Sequence, residues 1–118
     1  MHNYKKLNVW NRSMNFVIEV YKATQLFPKE EMYGLSQQLR RCAVSIPSNI
    51  AEGCGRNTPR DIDHFFAISL GSSFEMETQL LVASNLSYMS NDTFTNLNNE
   101  LTQIQKMLVT LKKTITSK

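Results

Sequence analysis

Residues 94–115, FTNLNNELTQIQKMLVTLKKTI, carry apolar side chains at Phe94, Leu97, Leu101, Ile104, Leu108, Leu111 and Ile115. The spacing alternates three and four without a break, which puts all seven on one face of an α-helix. Sustained over about three heptads, it is the seam expected where helices pack side by side. Asn91 or Asp92 suits the N-cap just upstream. A strand would need apolar residues at every second position, and no stretch of the chain alternates in that way.

Outward from this segment, a second heptad pattern precedes it. Thr58 is a good N-cap, Pro59 fits the first helical position and Asp61 sits at N3, close to a capping box. Ile62, Phe66, Ser69, Ser73, Met76, Leu80 and Ala83 then follow a strict heptad, with Phe65, Leu70, Phe74 and Leu81 adding apolar surface beside it. Ser69, Gly71, Ser72 and Ser73 are small residues in mid-helix that let another helix approach closely. One stripe per helix is what a bundle buries. The surplus apolar surface on this segment predicts a homo-oligomer.

Residues 32–52 hold a third pattern, with Leu35, Leu39, Cys42, Ile46 and Ile50 on its stripe and Gly53 and Gly55 placed to cap its end. Pro47 lies inside it and removes one backbone hydrogen bond. A helix kinked near Pro47 is expected, with Ser45 and Ser48 able to satisfy the freed groups. In residues 9–26, Trp10, Met14, Val17 and Tyr21 form the stripe, widened by Ile18, and Phe27-Pro28 ends it. Short connections favour antiparallel neighbours. The prediction is an all-α, antiparallel up-down-up-down four-helix bundle forming a single domain over residues 1–118.

The chain has 42% apolar residues, four Gly and three Pro, which excludes disorder and a many-turned β-fold. Its net charge of +3 is unevenly spread. Residues 1–12 carry Lys5, Lys6 and Arg12 and no acid, and residues 101–118 carry Lys106, Lys112, Lys113 and Lys118 and no acid. Such ends suit contact with nucleic acid or an acidic partner, or simply solvation. Cys42 and Cys54 form no disulfide framework or zinc spacing and read as reduced residues in or near the core. The N-terminus lacks the apolar stretch of a secretory leader, and no apolar run approaches membrane-spanning length. A cytoplasmic protein without membrane contact is the expectation.

Among single residues, arginines stand out. Arg40 and Arg41 point about 100° apart on a helix, and Arg56 and Arg60 flank the turn into the segment that Thr58 opens. Guanidinium forks suit phosphate, and a helix N-terminus adds positive dipole. Ion pairing with Glu52, Glu75, Glu77 or Asp61 is the competing reading, favoured for Arg41 and Arg56. Lys5, Lys6, Lys112 and Lys113, with Arg40, Arg56 and Arg60, are the candidates for contacting RNA or a ribonucleoprotein, through the phosphate backbone rather than the bases.

The run from Arg40 to Gly53, RRCAVSIPSNIAEG, with Phe27-Pro28-Lys29-Glu30-Glu31 and Gly34-Leu35 before it and Gly55-Arg56 after it, resembles the signature of the proteins encoded in intervening sequences of bacterial 23S ribosomal RNA genes. Leu70-Gly71-Ser72-Ser73-Phe74-Glu75 and Glu77-Thr78-Gln79-Leu80 resemble that family's second motif, and Val9-Trp10 also fits. Cys42 and Cys54 depart from it, standing where alanine and an aromatic residue are expected. The resemblance implies a four-helix bundle assembled as a ring-like homopentamer. It also implies kinship with the accessory protein of diversity-generating retroelements, a pentameric barrel that binds a reverse transcriptase and nucleic acid. It carries no catalytic residue with it.

Enzymatic constellations are sparse. Glu52 and Glu75 are candidate paired carboxylates, more readily explained as partners of the arginines. Asp61-x-x-His64 has the spacing of half a di-metal motif, and His2 does not supply the other half. Helical ribonucleases of the HEPN type resemble the chain in outline, yet neither Arg60 nor Arg56 stands at a fitting distance from His64. No Gly-rich phosphate loop, nucleophile elbow or zinc pattern occurs. The expectation is a non-enzymatic oligomeric scaffold binding RNA or ribonucleoprotein, without cofactor or metal. A protein-interaction module is the alternative, and a HEPN-like ribonuclease the remoter one.

Overall fold

A computed structural model describes residues 3–116. His2, weighed above as a metal ligand, and Lys118, one of the basic terminal residues, lie outside the described residues. Four α-helices account for most of the rest: α1 (Asn8–Thr24), α2 (Leu35–Cys54), α3 (Pro59–Asn85) and α4 (Asn91–Thr116). Short 3-10 helices, Tyr4–Lys6 and Lys29–Glu31, precede α1 and α2. The fold is all-α, with no strand among the described residues. No described helix is long and apolar enough to cross a membrane.

The α2–α3 interface is the most extensive, followed by α3–α4, α1–α2 and α1–α4. The diagonal pairs, α1 with α3 and α2 with α4, make no close backbone approach among the described residues, so the helices surround one elongated core. At its centre Phe16, Leu39, Ile46, Ile50, Phe66, Met76, Leu80, Leu101, Ile104 and Leu108 are fully buried. Burying each such side chain stabilises the fold by about 1.5–3 kcal/mol.

The stripes of α3 and α4 lie as the periodicity predicts. Ile62, Phe66, Ser69, Ser73, Met76, Leu80 and Ala83 are all buried, as are Leu97, Leu101, Ile104, Leu108 and Ile115. The small buried residues are satisfied: the Ser69 hydroxyl donates to the Ile46 carbonyl at 2.8 Å, and Ser73 to the Leu70 carbonyl at 2.6 Å. Thr58 caps α3 by accepting from the Asp61 N–H at 3.2 Å. The hydroxyl that caps α4 belongs to Ser90, which accepts from the Thr93 N–H at 3.1 Å, rather than to Asn91 or Asp92.

Other readings need correction. The buried face of α1 is Val9, Ser13, Phe16, Val17, Val20 and Thr24; Met14, Ile18 and Tyr21 point outward. Ser13 and Thr24 can lie inside because each hydroxyl donates to the carbonyl one turn back, to Val9 at 2.7 Å and to Val20 at 2.8 Å. Gly53 is not a terminal cap but an internal residue of α2 pressed against α3. A methyl group there would stand 2.9 Å from the Phe66 ring. Gly55 is the C-cap, at an ordinary right-handed φ of −86°.

Pro47 is buried inside α2, which runs unbroken from Leu35 to Cys54. Ser45 does not serve the freed backbone there. Its hydroxyl pairs with that of Ser72 on α3 at 2.8 Å, and Asn49 Nδ2 donates to the Ser45 carbonyl at 2.8 Å. The N-terminus of α2 is closed from a distance by Glu31, whose Oε1 accepts from the Leu35 N–H at 3.1 Å while Oε2 accepts from the Tyr88 hydroxyl at 2.9 Å.

Candidate nucleic-acid interface

The fold divides the seven candidate cations into two groups. Arg40 is turned inward along α1: its Nε donates to Thr24 Oγ1 at 2.7 Å, its Nη2 to the Tyr21 carbonyl at 3.3 Å, and its guanidinium lies 4.7 Å from the Tyr21 ring centre. Arg56 pairs with Glu52 one turn back at 2.5 Å and stacks over the Phe65 ring at 4.5 Å. Lys112 reaches from α4 to Asp63 on α3 at 2.6 Å, with both side chains partly buried. These three tie the chain to itself. The pairing read as likelier for Arg56 is the one observed. Arg41 forms no ion pair among the described residues.

Lys5, Lys6, Arg60 and Lys113 are exposed and make no ion pair among the described residues. Lys5 and Lys6 sit on the 3-10 helix Tyr4–Lys6, which Asn3 caps by accepting from the Lys5 N–H at 3.1 Å. Asn11 Nδ2 holds the segment to α1 by donating to the carbonyls of Lys5 and Leu7 at 3.0 and 3.1 Å. Leu7, Asn8 and Val9 then line one wall of a groove of about 360 Å³, with Lys106, Met107, Thr110, Leu111 and Thr114 of α4 on the other. The two acid-free ends of the sequence therefore meet at one end of the molecule.

Lys106 was not among the site candidates, although it lies in the acid-free tail; its partner segment is almost a hundred positions away in sequence, and only the fold joins them. Arg12 stands at the border of this region. Its Nε and Nη2 grip both carboxylate oxygens of Glu100 at 2.7 and 2.8 Å, and that pairing raises the arginine pKa further. Arg60 stands in the first turn of α3.

Glu52 is engaged by Arg56, whereas Glu75 lines a polar cleft of about 300 Å³ with Gln38, Arg41, Cys42, Ser45 and Ser72. In that cleft burial, and then Glu75, push the Cys42 thiol up to about 12, so it stays protonated and donates to the Ser72 carbonyl at 3.0 Å. His64 is exposed and meets Phe65 edge-on at 5.4 Å. No group of three or more His, Cys, Asp or Glu is placed to hold a metal among the described residues.

The model of one family, the 23S rRNA-intervening sequence proteins, matches residues 5–110. The chain is also similar to a crystal structure from Bacteroides thetaiotaomicron, a protein with unknown function from the S23 ribosomal protein family. That likeness has a TM-score of 0.80 and 26% identity and covers 89% of this chain and 98% of the other. No curated protein matches.

Proposed function

We propose, for a chain that belongs to the 23S rRNA-intervening sequence protein family, a non-enzymatic oligomeric scaffold that holds RNA or a ribonucleoprotein by its phosphate backbone. The observation that carries this reading is that the segment after Lys5 and Lys6 meets the Lys106–Thr114 stretch of α4 across one groove, so that the two acid-free stretches of the sequence converge. Lys5, Lys6 and Lys113 are its contact residues. Arg60 is a subsidiary one, while Arg40, Arg56 and Lys112 serve the fold. Exposed lysines at one end give charge without base readout, so binding should be salt-sensitive and tolerant of sequence.

We read the four helices as an antiparallel up-down-up-down bundle. Contacts that run in opposite directions along neighbouring helices support this: Cys42 and Ser45 meet Ser72 while Ile46 meets Ser69, and Lys112 meets Asp63 while Gln105 meets Ser73. A bend at Pro47 follows from its missing N–H. Assembly as a ring, a homopentamer by family kinship, would repeat a modest basic patch and raise its avidity. The exposed Phe74, Leu81 and Val82 of α3 and Met14 and Ile18 of α1 support self-association, and favour a protein-interaction module as the second reading.

Filter binding of structured RNA across a salt series, with molar mass measured by light scattering on the same sample, tests this. Salt-sensitive binding by an oligomer is the expected result. A well-formed oligomer that binds no RNA would transfer the reading to the protein-interaction module.

A further inference from the structure

Along the solvent face of α4, Asn96, Asn99, Gln103, Lys106, Thr110 and Lys113 succeed one another at spacings of three and four, and all six are exposed. They form a straight ridge about 26 Å long at the helical rise. A helix whose outer face merely meets water is commonly laced with Glu–Lys pairs. No such pair lies on α4 among the described residues. From Thr93 to Thr116 the single acid is Glu100, and Arg12 holds it. Asn and Thr are poorer helix formers than the Ala, Glu or Lys that would serve a solvated face. Helix preference is thus given up along a face that stays exposed in this chain, a pattern expected where a surface meets a ligand.

The chemistry of the ridge narrows that ligand. Each Asn and Gln amide both donates and accepts, as does the Thr110 hydroxyl, and only two charges accompany them. No aromatic ring stands among the six residues, so the ridge has no platform on which the bases of a single strand would stack. An A-form duplex presents a wide, shallow minor groove lined with 2′-hydroxyls, each also a donor and an acceptor, with phosphates along its borders. A straight row of amides and hydroxyls ending in lysines is complementary to that surface.

We propose that this ridge binds double-stranded RNA, with Asn96, Asn99, Gln103 and Thr110 on minor-groove 2′-hydroxyls and Lys106 and Lys113 on the bordering phosphates. The proposal rests on the RNA reading above and specifies the form of the nucleic acid. The test is fluorescence anisotropy of the full chain with a labelled RNA duplex, a DNA duplex of the same sequence and one RNA strand alone. The RNA duplex should bind about tenfold more tightly than the DNA duplex, which is what a pair of net hydrogen bonds amounts to. Asn99→Ala with Gln103→Ala should bring the RNA duplex down to the level of the DNA duplex. The same variant should melt no lower than the wild type, because alanine is the better helix former. Equal affinity for both duplexes, preference for the single strand, or an RNA preference that survives the double alanine change would overturn the proposal. Single-strand binding abolished by reversing Lys5 and Lys6 would overturn the ridge alone. Absence of any nucleic-acid binding would overturn the ridge together with the reading beneath it.

Discussion

Gly53 and Glu31 show how much of this fold rests on single atoms. Gly53 lies where a β-carbon would meet the buried Phe66 ring at 2.9 Å. Gly53→Ala gains helix propensity but overpacks α2 against α3, and should destabilise the protein by about 1–3 kcal/mol in chemical denaturation. The Glu31 carboxyl is held below its ordinary value, first by the Leu35 N–H and then by the Tyr88 hydroxyl. The folded state therefore favours its charged form. That contribution is present above the unfolded pKa and is lost as pH falls through the lower folded value. Thermal melts of wild type and Glu31→Gln should accordingly converge as the solution is acidified. A gap that stays constant with pH would mean that the charge of Glu31 is irrelevant. Neither role could be read from sequence. Gly53 looked like a cap because caps and close contacts both select glycine, and Tyr88 is remote from Glu31 along the chain.

At the scale of the element, periodicity was a sound guide where apolar residues alone fill the core. The seams of α3 and α4 are of that kind, and Ile104→Ala in α4 should cost about 2–5 kcal/mol by the loss of a fully buried side chain. The phase of α1 was misread because two of its buried positions, Ser13 and Thr24, are polar and satisfied by their own helix, while Met14, Ile18 and Tyr21 supply an outward apolar set at equally helical spacing. Hydrophobicity does not distinguish an apolar face turned to the core from one turned outward. The surplus on α3 was placed more accurately: Phe74 and Leu81 are exposed, whereas Phe65 and Leu70 are partly covered. Between them Gly71 has no atom within 4 Å of the position of an added β-carbon. Gly71→Ala should therefore stabilise the isolated subunit by about 1 kcal/mol, read as a higher melting temperature. A loss of stability there would mean that a partner helix packs on that glycine.

For the whole molecule, the candidate site was only partly legible in the sequence. Charge clustering at the two ends of the sequence pointed to Lys5, Lys6 and Lys113, and the fold brings those ends together beside Lys106. The internal engagement of Lys112 by Asp63 and of Arg40 by Thr24 depends on tertiary contacts that spacing does not report; the Glu52–Arg56 pair, one turn apart on a helix, was the exception. Self-association belongs to this scale as well. Phe74→Glu with Leu81→Glu places charge on the exposed face of α3, and light scattering should then give the 13.6 kDa of one chain. An unchanged larger mass would assign the assembly to another face. The claim at the centre of the account is that the converged basic end binds RNA phosphate, and its most direct test is the salt slope of RNA binding before and after Lys5→Gln, Lys6→Gln and Lys113→Gln. Each lost phosphate contact should make the negative slope of log K against log salt shallower by about 0.7–0.9 and weaken binding alike across RNA sequences. A slope and affinity unchanged by all three substitutions would contradict it.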